Sequence, residues 1–349
     1  MSDRGFVITR PYRDSGLGNN LLSMVGALYL CERTGRSLIV DWTENEHLVD
    51  KRTNYFVKFF EPLRRWRGVE IFYVNDDEAD QPVHYDLSDV VRLDGGPVRE
   101  ALSGAITARY VFLEALHYRA VFDHCEEMTA TALFHYTRGF YRSLVPRPAV
   151  LALLGSRRAG FDGRTVIGLN VRTGNGHPLF LPGAVYERRF NQTILTRADF
   201  PARAYQACRD CASRLPDDVR GDFGVFVVSD DPRMQRRLVD TIPNAFAVRQ
   251  HFPPPGVGHA FAGFHAQGYP DYSDIDAVHE TIVDMLLLAE CQGLVCNYTE
   301  FNRYPRYVTT FYNGNVGNLE HYFDHPVRRV GRRVVHGLHG LRRRVGGTR

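Results

Sequence analysis

Two stretches of this chain alternate short apolar runs with longer runs of helical period, and that alternation restricts the fold more than any other feature. Near the start, the apolar run Gly5-Phe6-Val7-Ile8-Thr9 is followed by a turn-rich Asp14-Ser15-Gly16-Leu17-Gly18-Asn19. Leu21, Leu22, Val25, Leu28, Tyr29 and Leu30 then recur at helical spacing to Cys31, Gly35 stops the helix, and Ser37-Leu38-Ile39-Val40-Asp41 reads as a second strand. Further on come a strand Thr165 to Val171, a helix from about Pro201 to Leu215 and a strand Gly224 to Ser229. A helix Pro232 to Asp240, a helix Asp274 to about Cys291 and a strand Gly293 to Cys296 complete the series. Apolar strands joined through helices are the signature of parallel sheets covered on both faces, so the expected class is α/β, with two Rossmann-like domains facing a cleft. At 349 residues the chain has room for two such units. Patterning breaks between Pro146 and Gly163, which sets the expected domains at residues 1–160 and 161–326, with a basic tail at 327–349. Residues 42–135 are rich in aromatics and charge without clear period, and no chemistry is placed there.

Charge separates the tail from the body. From Val327 onward there are eight Arg and no acid, which leaves 35 basic residues against 40 acidic ones elsewhere. An anionic membrane surface, a nucleic acid or plain solvent would each suit such a tail; the body has no basic stripe, and the reading taken is peripheral membrane contact without nucleic acid. Only Lys51 and Lys58 are lysines among 43 basic residues, so a single Arg carries little meaning and spacing must decide. No run approaches the roughly 18 apolar residues of a spanning helix, and Met1-Ser2-Asp3-Arg4 lacks the layout of a signal peptide. A soluble, cytoplasmic protein is expected, and a reduced compartment fits, since six cysteines in this length make no dense framework. Cys208 and Cys211 read as two thiols on one helix, because no second pair completes a zinc site. The acceptor patterns at Asn191 and Asn297 are discounted for the same compartment.

Four clusters follow strand ends in the second half, where parallel sheets place ligands. The first is Asn170-Val171-Arg172-Thr173-Gly174-Asn175-Gly176. The planar fork of Arg172 suits a phosphate and the glycines allow close approach; the alternative is an Arg tied to a structural carboxylate. The second is Ser229-Asp230-Asp231-Pro232, whose carboxylates could meet a ribose or sugar hydroxyl and could also cap the next helix. In the third, Asp284 lies between Val283 and Met285, where a charge is costly unless paired. Guanine, with its adjacent N1–H and N2 amine, could pair it, and so could an internal Arg. Asp274-x-Asp276 in the same run resembles a metal-binding pattern but also charges a first helical turn. In the fourth, Thr299 could hold a phosphate oxygen with help from Arg303. At the N-terminal strand-to-helix junction, Gly16, Gly18 and Asn19 could offer backbone N–H groups to a phosphate or sugar oxygen, or form only a tight turn.

The order Gly16-Leu17-Gly18-Asn19-Asn20, Val171-Arg172-Thr173-Gly174-Asn175-Gly176, Ser229-Asp230-Asp231-Pro232 and Asp284 to Arg303 resembles that of fucosyltransferases. The set is similar to the NodZ-type and core α-1,6-fucosyltransferases, over roughly residues 5–35 and 165–315. The resemblance implies a GT-B-like fold, a GDP-fucose donor, inversion at the anomeric carbon and no metal requirement. It implies Arg172 on the donor β-phosphate, Asp284 on the guanine edge and Thr299 on the diphosphate. Asn170 stands where the family usually has His, and His177 where NodZ-type proteins tend to have Glu. The donor-binding set is thus Gly16, Gly18, Asn19, Asn170, Arg172, Gly174, Asn175, Gly176, Asp230, Asp231, Asp284, Thr299 and Arg303. Arg172 and Glu187 are the catalytic candidates, with His177 a second candidate base.

The expected activity is inverting, metal-independent transfer of fucose or a related sugar from a GDP-sugar to a saccharide or glycolipid acceptor. The GDP-sugar is a co-substrate, and no cofactor or metal is expected. Two alternatives remain open at this point: a metal-dependent GT-A enzyme using Asp274 and Asp276, and a nucleotide- or sugar-binding protein without catalysis.

Overall fold

The computed structural model describes residues 5–10, 17–43, 54–76, 83, 85, 88, 90–93, 98–114, 121–122, 125, 128–161, 163–173, 194–217, 221–252, 275–297 and 316–323. Two sheets organise them. The first has six strands: β1 (Phe6–Arg10), β2 (Ser37–Val40), β3 (Arg65–Trp66), β4 (Val69–Tyr73), β5 (Val90–Arg92) and β6 (Tyr110–Glu114), in the order β3-β4-β2-β1-β6-β5. The second has five: β7 (Thr165–Val171), β8 (Phe223–Ser229), β9 (Ala245–Phe246), β10 (Gly293–Cys296) and β11 (Val316–Asn318), in the order β11-β10-β7-β8-β9. Every pairing is parallel except the short β3–β4 hairpin. Both sheets are thus of the Rossmann-like, α/β kind the apolar runs imply, and the architecture is GT-B-like.

Helices cover the sheets. They are α1 (Leu17–Thr34), α2 (Tyr55–Phe59), α3 (Val98–Leu102), α4 (Ala130–Ser143), α5 (Pro148–Arg157), α6 (Phe200–Ala212), α7 (Pro232–Thr241) and α8 (Ile275–Glu290). The helix α1 begins at Leu17, earlier than its periodicity suggests, so Gly18 and Asn19 sit inside its first turn and not in the preceding turn. Burial of Leu17 together with Leu21 accounts for that start, since it extends the apolar face by one turn. Cys208 and Cys211 both lie buried as thiols on α6, as their spacing implies.

Side chains alternate across β7, and this places the site. Ile167, Leu169 and Val171 pack into one apolar cluster with Phe200, Ala204 and Cys208 of α6. Val166 joins the opposite cluster, which contains Ile282, Leu287 and Leu288 of α8. Gly168 faces α8 so closely that an added Cβ would stand 2.7 Å from Leu288 Cδ2 and 3.2 Å from Cys291 Sγ. Asn170 and Arg172 follow at the same two-residue period and share that face. The α8-side cluster runs on without a break through Val150 and Leu154 of α5 to α1 and the first sheet. Among the described residues, no helix is long and apolar enough to cross a membrane.

Candidate functional site

The carboxyl ends of β7, β8 and β10 meet around Arg172. Ladder pairing of β7 with β10 ends at Cys296 opposite Asn170, and pairing with β8 ends at Ser229 opposite Val171. Side chains then take over. The Asn297 Oδ1 accepts from the Arg172 backbone N–H at 2.9 Å, and the Asn297 Nδ2 donates to the Arg172 carbonyl at 2.7 Å. Asp230 Oδ1 accepts from both the backbone N–H and the hydroxyl of Thr173, at 2.7 and 2.9 Å. Arg172 is half-buried. Among the described residues its guanidinium has no carboxylate partner, so the structural ion pair weighed in the sequence is not formed there.

Asp284 lies on the same side of the sheet. It is one helical turn before Leu288, which covers Gly168, and α8 runs antiparallel to the strands; that turn moves it about 6 Å toward their carboxyl ends. Asn170 lies about 7 Å beyond Gly168 in the same direction, so Asp284 and Asn170 stand at similar height. The carboxyl is 1% exposed, and its Oδ2 accepts from Arg249 Nη1 at 2.9 Å. An internal Arg therefore does pair this acid. The pairing is incomplete, because Asp284 Oδ1 is buried with no hydrogen-bond partner. Burial pushes the Asp284 carboxyl up to about 6, against the pull of the Arg249 charge and hydrogen bond.

Arg249 is held on every side. Its Nε donates to the His251 carbonyl at 2.9 Å, its Nη2 to Thr281 Oγ1 at 3.1 Å, and its guanidinium lies 5.1 Å from the Phe252 ring centroid. One turn before Asp284, the buried Glu280 accepts from Arg157 Nη2 of α5 at 2.9 Å and faces the Gln250 backbone N–H at 3.4 Å. Arg249, Glu280 and Arg157 were not singled out by sequence reasoning. The isolated acid in an apolar helix signals that a cation must be near, but in a chain so rich in Arg nothing signals which one.

The remaining candidates divide plainly. Asp231 caps α7 by accepting from the Arg233 backbone N–H at 2.8 Å, which realises the capping role of that cluster. Asn170 is buried at the end of β7. Gly18 is buried and Asn19 half-buried in the first turn of α1. Gly16, Gly174, Asn175, Gly176, His177, Glu187, Asp274, Thr299, Arg303 and the tail from Val327 lie outside the described residues, and nothing is described of the Asp276 side chain. Among the described residues no three His, Cys, Asp or Glu side chains cluster as metal ligands.

The first sheet presents its own polar group at its carboxyl edge. Arg10, the last residue of β1, donates through Nε and Nη2 to Asp41 Oδ2 at 3.0 and 2.7 Å, just past β2. Tyr85 also donates to Oδ2, and the Thr43 hydroxyl donates to Oδ1 at 2.6 Å. Burial alone would raise the Asp41 carboxyl, but the hydrogen bonds from Thr43 and Tyr85 and the Arg10 charge hold it below the usual range.

The family model of Nodulation protein Z (NodZ) matches residues 3–83. Nodulation protein Z of Bradyrhizobium diazoefficiens is 24% identical over 337 residues, covering 89% of this chain and 80% of that protein. Nodulation protein Z of Azorhizobium caulinodans is 24% identical over 318 residues, covering 86% of this chain and 88% of that protein. A crystal structure of NodZ alpha-1,6-fucosyltransferase soaked with GDP-fucose superposes with a TM-score of 0.59 at 20% identity, covering 88% of this chain and 93% of that one. The resemblance carried by the motifs is therefore borne out: the chain is similar to NodZ along most of its length, in sequence and in fold.

Proposed function

We propose that this NodZ-like chain is a glycosyltransferase that moves fucose or a related sugar from a GDP-sugar to a saccharide or glycolipid acceptor. The observation that carries the reading is that a cation without a described carboxylate and an acid with one unbonded buried oxygen come to one face of the second sheet. Arg172, just past β7, has a guanidinium that meets no described carboxylate, and Asp284 keeps one buried oxygen without a donor. A guanosine diphosphate supplies what both lack: anionic oxygens for the cation, and the N1–H and N2 amine for the carboxylate. The relatives support the same reading, since one is a NodZ alpha-1,6-fucosyltransferase soaked with GDP-fucose.

On this reading, residues 1–160 face the acceptor and residues 161–326 bind the donor. The acceptor hydroxyl attacks the anomeric carbon from the side opposite the diphosphate, which inverts that centre. Its proton passes to a general base, assigned to Glu187, as the bond from the anomeric carbon to the β-phosphate oxygen breaks. Negative charge then grows on the departing GDP, and Arg172 is already in place to stabilise it, so no metal is needed. Thr299, Arg303 and the glycine turn 174–176 complete the diphosphate contacts. The Arg-rich tail holds the enzyme at an anionic membrane, each basic residue contributing about 1 kcal/mol near such a surface.

A thermal-shift screen with GDP, UDP, ADP and CMP, run in the presence of a chelator, tests the donor assignment. Ligand that prefers the native state raises the melting temperature with the logarithm of its excess. GDP is expected to give the largest shift and to keep it when divalent ions are removed. Equal shifts for all four nucleotides, or a shift that vanishes with the chelator, would refute the assignment.

A further inference from the structure

The geometry points to Asn297 as a positioning residue that aims Arg172 at the diphosphate; the inference rests on the donor reading above. The backbone ladder between β7 and β10 stops at Cys296 and Asn170, two residues before Arg172. Past a ladder's end, a strand tip normally frays, because its peptide groups have no neighbour to bond. Here the Asn297 side-chain amide stands in for the missing peptide. It accepts from the Arg172 N–H and donates to the Arg172 carbonyl, at 2.9 and 2.7 Å, and it is 6% exposed. Both backbone groups of Arg172 are thereby satisfied by one planar side chain.

The opposite flank is treated likewise. Pairing with β8 ends at Val171, and Asp230 then holds Thr173 through its N–H and hydroxyl. Arg172 is thus fixed from β10, and the residue after it from β8. With the backbone fixed, the direction of the Arg172 Cα–Cβ bond is set before any ligand arrives, and the guanidinium searches fewer orientations. A cation ordered in advance loses less freedom on binding the diphosphate and needs no reorganisation as charge develops. The sequence pattern Asn297-Tyr298-Thr299, which reads superficially as a glycan acceptor, has instead committed its amide nitrogen to the Arg172 carbonyl.

The test is the ratio of GDP to GMP affinity, measured by titration calorimetry, because that ratio isolates the β-phosphate. Wild type should prefer GDP, and Arg172→Ala should lose the preference. Asn297→Ala should reduce the preference about tenfold while leaving GMP affinity unchanged, which a general loss of stability would not do. Asn297→Asp is nearly isosteric and guards against a misfolded alanine variant. Its ionised carboxylate still accepts from the Arg172 N–H but turns an acceptor toward the Arg172 carbonyl; protonated, it regains the donor. The GDP preference of that variant, taken relative to wild type at each pH, should therefore recover as pH falls. If Arg172→Ala abolishes the preference and both Asn297 variants keep it at all pH values, or lose GDP and GMP equally, the role of Asn297 is overturned alone. A wild type without any GDP preference overturns the donor reading, and this role with it.

Discussion

Asp284 shows how one side chain can be both costly and useful. Folding buries it and raises its carboxyl from 3.8 to about 6, so the native state holds the proton more tightly than the unfolded chain. Its ionisation therefore works against folding as pH rises through that window. In the proposed donor site binding would reverse the preference, because guanine presents two donors and only the ionised carboxylate accepts them without surrendering its bond to Arg249. Guanosine, which has no titrating phosphate, should then bind more weakly as pH falls below about 6, by up to tenfold per pH unit. Calorimetric titrations from about pH 8 to about pH 5 would check this, and a flat profile would remove Asp284 from the base site. Removing the side chain has a separate cost. The Arg249 side chain is only 4% exposed, so Asp284→Ala takes a carboxylate away from a buried cation and should destabilise the fold by about 3–5 kcal/mol in urea melts.

At the scale of elements, β7 and α8 form the frame that brings Arg172 and Asp284 to one face. Their contact depends on Gly168, because any Cβ there would meet Leu288 and Cys291. Gly168→Val should cost about 1–3 kcal/mol of stability by overpacking, and should weaken GDP binding more than a remote substitution of equal cost. These two elements were also the most legible in the sequence. The run from Thr165 to Val171, apolar except for Thr165 and Asn170, has no solvated face, which marks a central parallel strand. The long apolar period up to Glu290 marks the helix beside it. The first half was harder to read. Strands such as Val90–Arg92 and Tyr110–Glu114 are short, and the aromatic residues around them suit a core, a turn or a strand equally. The place of Arg172 just past a buried strand was legible from the apolar residues before it, whereas the choice between a phosphate and a structural carboxylate as its partner was not. The Arg249 partnership was not, since residues 249 and 284 approach only through tertiary packing, and the same holds for the clasp of Asn297 on Arg172.

For the whole molecule, the two sheets share one apolar cluster through α5 and α8, and polar groups sit at the carboxyl edges of both. The edge of the second carries Arg172, Asp230 and Asn297; the edge of the first carries Arg10 and Asp41. Arg157 of α5 reaches Glu280 of α8, one turn before Asp284, so the helix leading into the second half also braces α8. In the proposed mechanism Arg172 neutralises the departing diphosphate. Titration of GDP into wild type and Arg172→Ala, with melting curves to confirm that both are folded, tests it most directly. The variant should melt like wild type and bind GDP at least about tenfold more weakly; a folded variant with undiminished GDP affinity would overturn that role.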